Sequence, residues 1–295
     1  MSKNIQFYGC YTALITPFSG ERVDHAALES FVEWQITQGV HGLVPCGTTG
    51  ESPTLTPAEH GEVIARTVAV AKGRVNVMAG TGSNSTSEAI EYTRHAEKVG
   101  ADAALVVAPY YNKPTQEGLY QHFKAIAAAT ALPIFIYNIP GRSVVNMTDA
   151  TLARLAEIPN IAGIKDATGD LARVATLRHL VGDRLVQFSG EDMTAVGFNA
   201  MGGRGVISVA SNIAPAITAE IQNLCLSGRY YAARELQETL VALTQAMFVE
   251  TNPIPVKYAS SLLQKTDGSM RLPLVAASPE TQAAVRSAMA ELKLL

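Results

Sequence analysis

Lys165 closes the run Ile161-Ala162-Gly163-Ile164, and a lysine at the end of an apolar strand poses a chemical problem. An ammonium taken out of water with no carboxylate beside it is costly to hold. Either the amine reaches solvent or it serves as a reagent. A free lysine has a pKa of about 10.4, and lowering it by roughly three units through burial costs about 4 kcal/mol. The neutral amine adds to a keto group and forms a Schiff base, which makes the carbonyl carbon an electron sink and acidifies the carbon beside it.

Such chemistry needs groups that move protons on and off the carbinolamine oxygen. Tyr137, Thr48 and Tyr111 each lie at the end of an apolar run, as Lys165 does, and their hydroxyls can form a hydrogen-bonded chain. A small 2-keto acid also needs its carboxylate held. The turn "CGTTGE" at 46–51 offers backbone N–H groups and the Thr49 hydroxyl for this, without a competing cation. Taken singly, each residue has an ordinary reading. Most strand-end lysines are solvated, and most tyrosines after apolar runs pack with the OH at the surface. Convergence on one face gives them weight, and that depends on the elements that carry them.

Short apolar runs recur at 11–18, 41–47, 75–82, 103–109, 133–140, 161–167, 185–191 and 205–211, with helical patterns between most of them. Alternation of this kind predicts parallel strands joined by crossover helices. Thr56 and Pro57 read as the N-cap and first position of a helix, and Gly100 as a helix stop. Eight units over roughly 210 residues fit an α/β fold of the (β/α)8 TIM-barrel type. A doubly wound sheet is disfavoured because "GTGSNS" at 80–85 lacks the third glycine of a dinucleotide loop. In a barrel the strand C-termini form the active face. Lys165, Thr48, Thr49, Tyr110, Tyr111, Tyr137 and Gly190 all fall there, whereas "MGGRG" at 201–205 precedes a strand and reads as a turn at the opposite face.

After residue 212 the strand signal stops and helical periodicity takes over. The first such segment closes the barrel, giving a catalytic domain over 1–227. A C-terminal helical appendage follows over 228–295, interrupted around "TNPIPVK" by two prolines.

The chain has 295 residues, 47% of them hydrophobic and 17% charged, with a formal charge of −3, which suits an ordinary globular protein and offers no basic stripe for nucleic acid. "MSKNIQFYGC" lacks the apolar core of a signal peptide, and no apolar run approaches the roughly 18 residues that span a bilayer, so a cytoplasmic location is expected. Cys10, Cys46 and Cys225 form no close pair, which argues against a disulfide framework or zinc site. The six histidines lack H-E-x-x-H spacing, and no G-x-S-x-G elbow or Walker loop occurs, so no metal, hydrolase or nucleotide chemistry is expected.

"GTTGES" at 47–52, "PYYNKP" at 109–114, "YNIPGRS" at 137–143, "GIKDATGD" at 163–170 and "NPIPVK" at 252–257 resemble the dihydrodipicolinate synthases, of the pyruvate-dependent class I aldolase and lyase superfamily. The resemblance spans the whole chain. It implies a metal-independent carbon–carbon lyase without a cofactor, in which Lys165 holds pyruvate as an imine and Arg142 grips the carboxylate of L-aspartate-4-semialdehyde. The product would be 4-hydroxy-tetrahydrodipicolinate, on the route to diaminopimelate and lysine. It further implies a relay of Thr48, Tyr137 and Tyr111, with Tyr111 donated across a subunit interface of a homotetramer (a dimer of dimers), and a pyruvate pocket shaped by Gly190 and Ile207. Sialic acid lyases and related 2-keto-3-deoxy-sugar-acid aldolases share the lysine but generally lack an arginine at the Arg142 position. A non-catalytic pyruvate-binding sensor is the alternative of a different class.

Many members of that family bind L-lysine as a feedback ligand at a subunit interface. The matching positions here are Ser52, His60, Asn84, Glu88 and Tyr110. Glu88 suits the ligand's α-ammonium, and Asn84 and Tyr110 its carboxylate. Pro57 and Pro53 depart from the pattern of strongly inhibited members, and inhibition by L-lysine is expected.

Overall fold

The structure is a computed structural model and describes residues 6–295. The expectation about the N-terminal segment therefore falls partly on residues 1–5, outside the described residues. Eight parallel strands close a barrel: β1 (Gly9–Ala13), β4 (Gly42–Val44), β5 (Asn76–Gly80), β6 (Ala103–Val107), β7 (Ile134–Asn138), β8 (Ile161–Asp166), β9 (Val186–Ser189) and β10 (Gly205–Ser208). Each pairs with its neighbours in sequence, and β1 closes the ring on β10. The expected barrel is the observed one.

Helices α1 (His25–Thr37), α2 (Pro57–Ala71), α3 (Thr86–Val99), α4 (Gln116–Ala127), α5 (Pro140–Ser143), α6 (Asp149–Leu155), α7 (Leu171–Val181) and α8 (Ala195–Ala200) fill the crossovers, and α9 (Pro215–Leu226) packs on β1. The caps explain the boundaries. Thr56 accepts from Glu59 N at 3.3 Å while Glu59 accepts from Thr56 N at 2.9 Å, a reciprocal capping box with Pro57 in the first turn. Gly100 ends α3 in the left-handed region, at φ 90°.

Two local expectations need correction, and a stretch read only as helical divides in two. The run at 11–18 is not one strand: β1 ends at Ala13, and Phe18–Ser19 (β2) pairs antiparallel with Arg22–Val23 (β3). Leu14 still donates to Val44 O at 3.0 Å, but Ile15 turns its N–H to Asn212 Oδ1 at 3.1 Å, and Pro17 has no N–H to extend a ladder. The segment 230–248 is two helices, α10 (Tyr230–Thr239) and α11 (Val241–Ala246), broken at Leu240. Finally, only the first proline of "TNPIPVK" stands outside a helix. Pro255 sits in the first turn of α12 (Ile254–Leu262), where a missing N–H leaves nothing unpaired, and α13 (Pro279–Glu291) completes the chain.

Two apolar clusters divide the core. One fills the barrel interior with Tyr11, Val44, Met78, Leu105, Phe135, Tyr137, Phe188 and Ile207. The other lies between barrel and helices, and runs on without a break into Leu243, Met247, Val256 and Val285 of the appendage.

Candidate active site

Alternation along β8 decides which way Lys165 points. A Cβ added at Gly163 would collide with the Phe135 ring of the interior cluster, so Gly163 faces inward. Lys165, two residues on, shares that face, whereas Ile164 belongs to the outer cluster. Register places Lys165 opposite Tyr137 on β7 and Phe188 on β9, one residue before the strand ends. Its side chain is buried, and Nζ lies 4.0 Å from the centroid of the Tyr137 ring.

Asp166, next in sequence, points the other way, to Arg173 Nε at 3.4 Å. Among the described residues Lys165 forms no salt bridge, while the other buried lysine, Lys257, is paired with Glu51. An unpaired buried amine behind an aromatic ring is the arrangement that a nucleophile requires and a structural lysine avoids.

The cavity at Lys165 is lined by Thr48, Thr49, Tyr137, Arg142 and Gly190. It adjoins a cleft of about 300 Å³ bordered by Thr48, Ser52, Tyr110, Tyr137 and Arg142. Thr49 is buried, and its Oγ1 accepts from Asn252 Nδ2 at 3.0 Å. Arg142 stands on α5, and its Nη2 donates to Asn252 O at 3.1 Å, which leaves guanidinium N–H groups for a ligand. Gly190 follows β9 and donates to Asp166 O at 2.6 Å. A Cβ there would sit 2.7 Å from Ala167 Cβ, so only glycine lets the chain pass this close to the end of β8.

Two of the residues expected in the relay or the pyruvate pocket do not line this cavity. Tyr111 is 93% exposed and holds φ at 68°, on a loop where Asn112 Nδ2 donates to Asn84 O at 2.8 Å. Ile207 is packed in the interior cluster, in register with Tyr11. Conversely, Glu191, Phe248 and Asn252 line the cavity and were missed. Burial pushes the Glu191 carboxyl up from its ordinary value, against the pull of Lys165. Its signal was available, because it follows Gly190 at a strand end. Asn252 and Phe248 arrive from the appendage, and no strand-end rule reaches them.

The five residues matched to a feedback site fall into two parts. Ser52 and Tyr110 border the open cleft. His60, on α2, is buried and stacks on Tyr92 at 4.2 Å; burial depresses its pKa to about 4. Glu88 accepts from Ser83 Oγ, and Asn84 contributes a backbone carbonyl to Asn112. Tyr92, which sequence did not suggest, joins the two parts: burial first, then Glu88 and Tyr110, raise its phenol pKa.

Residues 6–292 match the model of the dihydrodipicolinate synthetase family. The chain belongs to the dihydrodipicolinate synthetase family. A 4-hydroxy-tetrahydrodipicolinate synthase of Afipia carboxidovorans is 54% identical over 295 residues, all of both chains. Among dihydrodipicolinate synthetase structures, the chloride-inhibited enzyme of Acinetobacter baumannii complexed with pyruvate superposes with a TM-score of 0.97 at 44% identity, covering 98% of this chain and 100% of that one. The enzyme of Cyanidioschyzon merolae with lysine bound gives 0.95 at 39% identity, covering 98% and 99%. No helix among the described residues is long and apolar enough to cross a membrane.

Proposed function

We propose that this chain condenses pyruvate with L-aspartate-4-semialdehyde to give 4-hydroxy-tetrahydrodipicolinate, as a lyase of diaminopimelate and lysine biosynthesis. The observation that carries the reading is the buried, unpaired Lys165 amine at the C-terminal end of β8, in a chain of this family. Lys165 Nζ attacks the pyruvate keto carbon, the carbinolamine loses its oxygen as water, and an imine remains. A proton leaves the adjacent methyl to give the enamine, whose carbon bonds to the aldehyde carbon as the aldehyde oxygen takes up a proton. The amino group of the semialdehyde portion then attacks the imine carbon, closes the ring and releases Lys165. No cofactor enters these steps.

Tyr137 and Thr48 act as the proton carriers, both lining the Lys165 cavity, and Thr49 with the backbone of its turn holds the pyruvate carboxylate. Gly190 leaves room beside the imine, and Ile207 backs the pocket from the interior cluster. Tyr111 completes the relay of a neighbouring subunit within a homotetramer of the kind the family resemblance implies; its near-complete exposure, in a strained backbone conformation, supports a role outside its own chain. Three buried, free cysteines favour a cytoplasmic setting. L-Lysine is the feedback ligand of the Ser52, His60, Asn84, Glu88 and Tyr110 group, a reading supported by the place of Ser52 and Tyr110 at the border of the open cleft.

A coupled assay with pyruvate and either aspartate semialdehyde or a 2-keto-3-deoxy sugar acid tests the substrate. Turnover of the semialdehyde is expected, with Arg142→Ala raising its KM while sparing imine formation. Cleavage of sugar acids instead would favour the aldolase, and pyruvate binding without turnover a sensor.

A further inference from the structure

Lys257, the second buried lysine, plays no part in the chemistry above, yet it is tied to the turn that does. It stands on α12 with its side chain fully buried, pairs with Glu51, and has Nζ 4.1 Å from the centroid of the Phe18 ring. Glu51 closes the turn that carries Thr48 and Thr49 and holds a left-handed backbone, φ 54°, which a non-glycine residue keeps only under external constraint. The constraint comes from the appendage. Besides Lys257, Arg271 N donates to Glu51 Oε2 at 3.2 Å, and the Arg271 guanidinium donates to Thr54 O and Glu59 Oε2, each at 2.8 Å.

A buried ion pair is a poor device for stability, since well-packed apolar residues of similar volume do as well or better. What it supplies is direction. A carboxylate anchored at both oxygens fixes where residue 51 lies, and the Glu51 N–H, donating to Thr48 O at 3.2 Å across Gly50, carries that constraint to the two threonines. We propose that Glu51 and Lys257 are positioning residues for imine formation: the pair clamps the 47–52 turn to α12 so that Thr48 and Thr49 face pyruvate at Lys165. This rests on the reading of Lys165 as the imine-forming residue.

The test compares the parent enzyme with Glu51→Gln and with the double variant Glu51→Gln/Lys257→Met. Glu51→Gln keeps the shape of the carboxyl, and the double variant removes both charges so that neither is left buried alone. Borohydride trapping of pyruvate on Lys165 is timed, both KM values are measured, and melting is followed. The clamp predicts a fall of about 10- to 100-fold in the trapping rate and a raised pyruvate KM for both variants, with the semialdehyde KM within about twofold of the parent. The double variant should melt no lower than the parent and yet remain slow. A double variant that recovers the parent's trapping rate along with its melting temperature would overturn the proposal. Rates that merely follow the folded fraction would do so too, as would failure of both variants to fold, which would make the pair a folding requirement only. Should the parent itself trap no pyruvate, the Schiff-base reading fails first and separately.

Discussion

His60 and His122 are the residues whose charge the fold controls most clearly. Burial depresses both to about 4, against about 6.5 in an unfolded chain. Both are neutral in either state above pH 6.5, so stability is full there. As pH falls from 6.5 to 4 the unfolded chain takes up two protons that the folded one refuses, and stability drops by about 3 kcal/mol per histidine. Glu59 works in a lower window: its hydrogen bonds to Arg271 hold it at about 2, so its contribution fades only as pH falls below about 4.5. Melting temperatures at pH 7.5 and 5 should therefore differ clearly, with His122→Gln reducing the difference; melting indifferent to pH would refute the assignment. Lys165, Tyr137, Thr48 and Thr49 were legible in the sequence because each is placed by a strand end, a local feature. Glu191 was equally legible and overlooked, whereas Asn252 and Tyr92 reach their sites through tertiary packing that no local pattern encodes.

At the scale of elements, β8 is the lever on which the amine stands. Its middle residue, Gly163, has no room for a side chain, because an added Cβ would meet the Phe135 ring and Val186 O. Gly163→Ala should cost about 1–3 kcal/mol through overpacking, and should slow imine formation because Lys165 shifts with its strand. Unchanged melting together with an unchanged trapping rate would contradict this. The eight strands and the caps at Thr56 and Gly100 were readable from apolar runs and punctuation. The β2–β3 hairpin was not, since its two-residue strands fall below any periodicity, and the break at Leu240 lies in a sequence with no glycine or proline to mark it.

At the scale of the whole molecule, the outer apolar cluster runs from barrel to appendage, and Asn252, Lys257 and Arg271 reach back to the active-site turn. The outer cluster thus runs across the proposed division at Gly228, and residues on both sides of it line the Lys165 cavity. In the proposed reading L-lysine feedback belongs to the assembly, and millimolar lysine should inhibit turnover in the parent but less in Glu88→Ala. An enzyme indifferent to lysine, or a variant inhibited as strongly as the parent, would refute that site. Coupling of this kind is typically about 1–3 kcal/mol, so a modest loss of contact at the proposed site would weaken it without touching catalysis. The chemistry itself is tested most directly by treating the intact protein with pyruvate and borohydride and mapping the product by mass. One reduced pyruvyl group on Lys165, absent from Lys165→Ala, is the expected result; labelling of any other residue, or none at all, would contradict it.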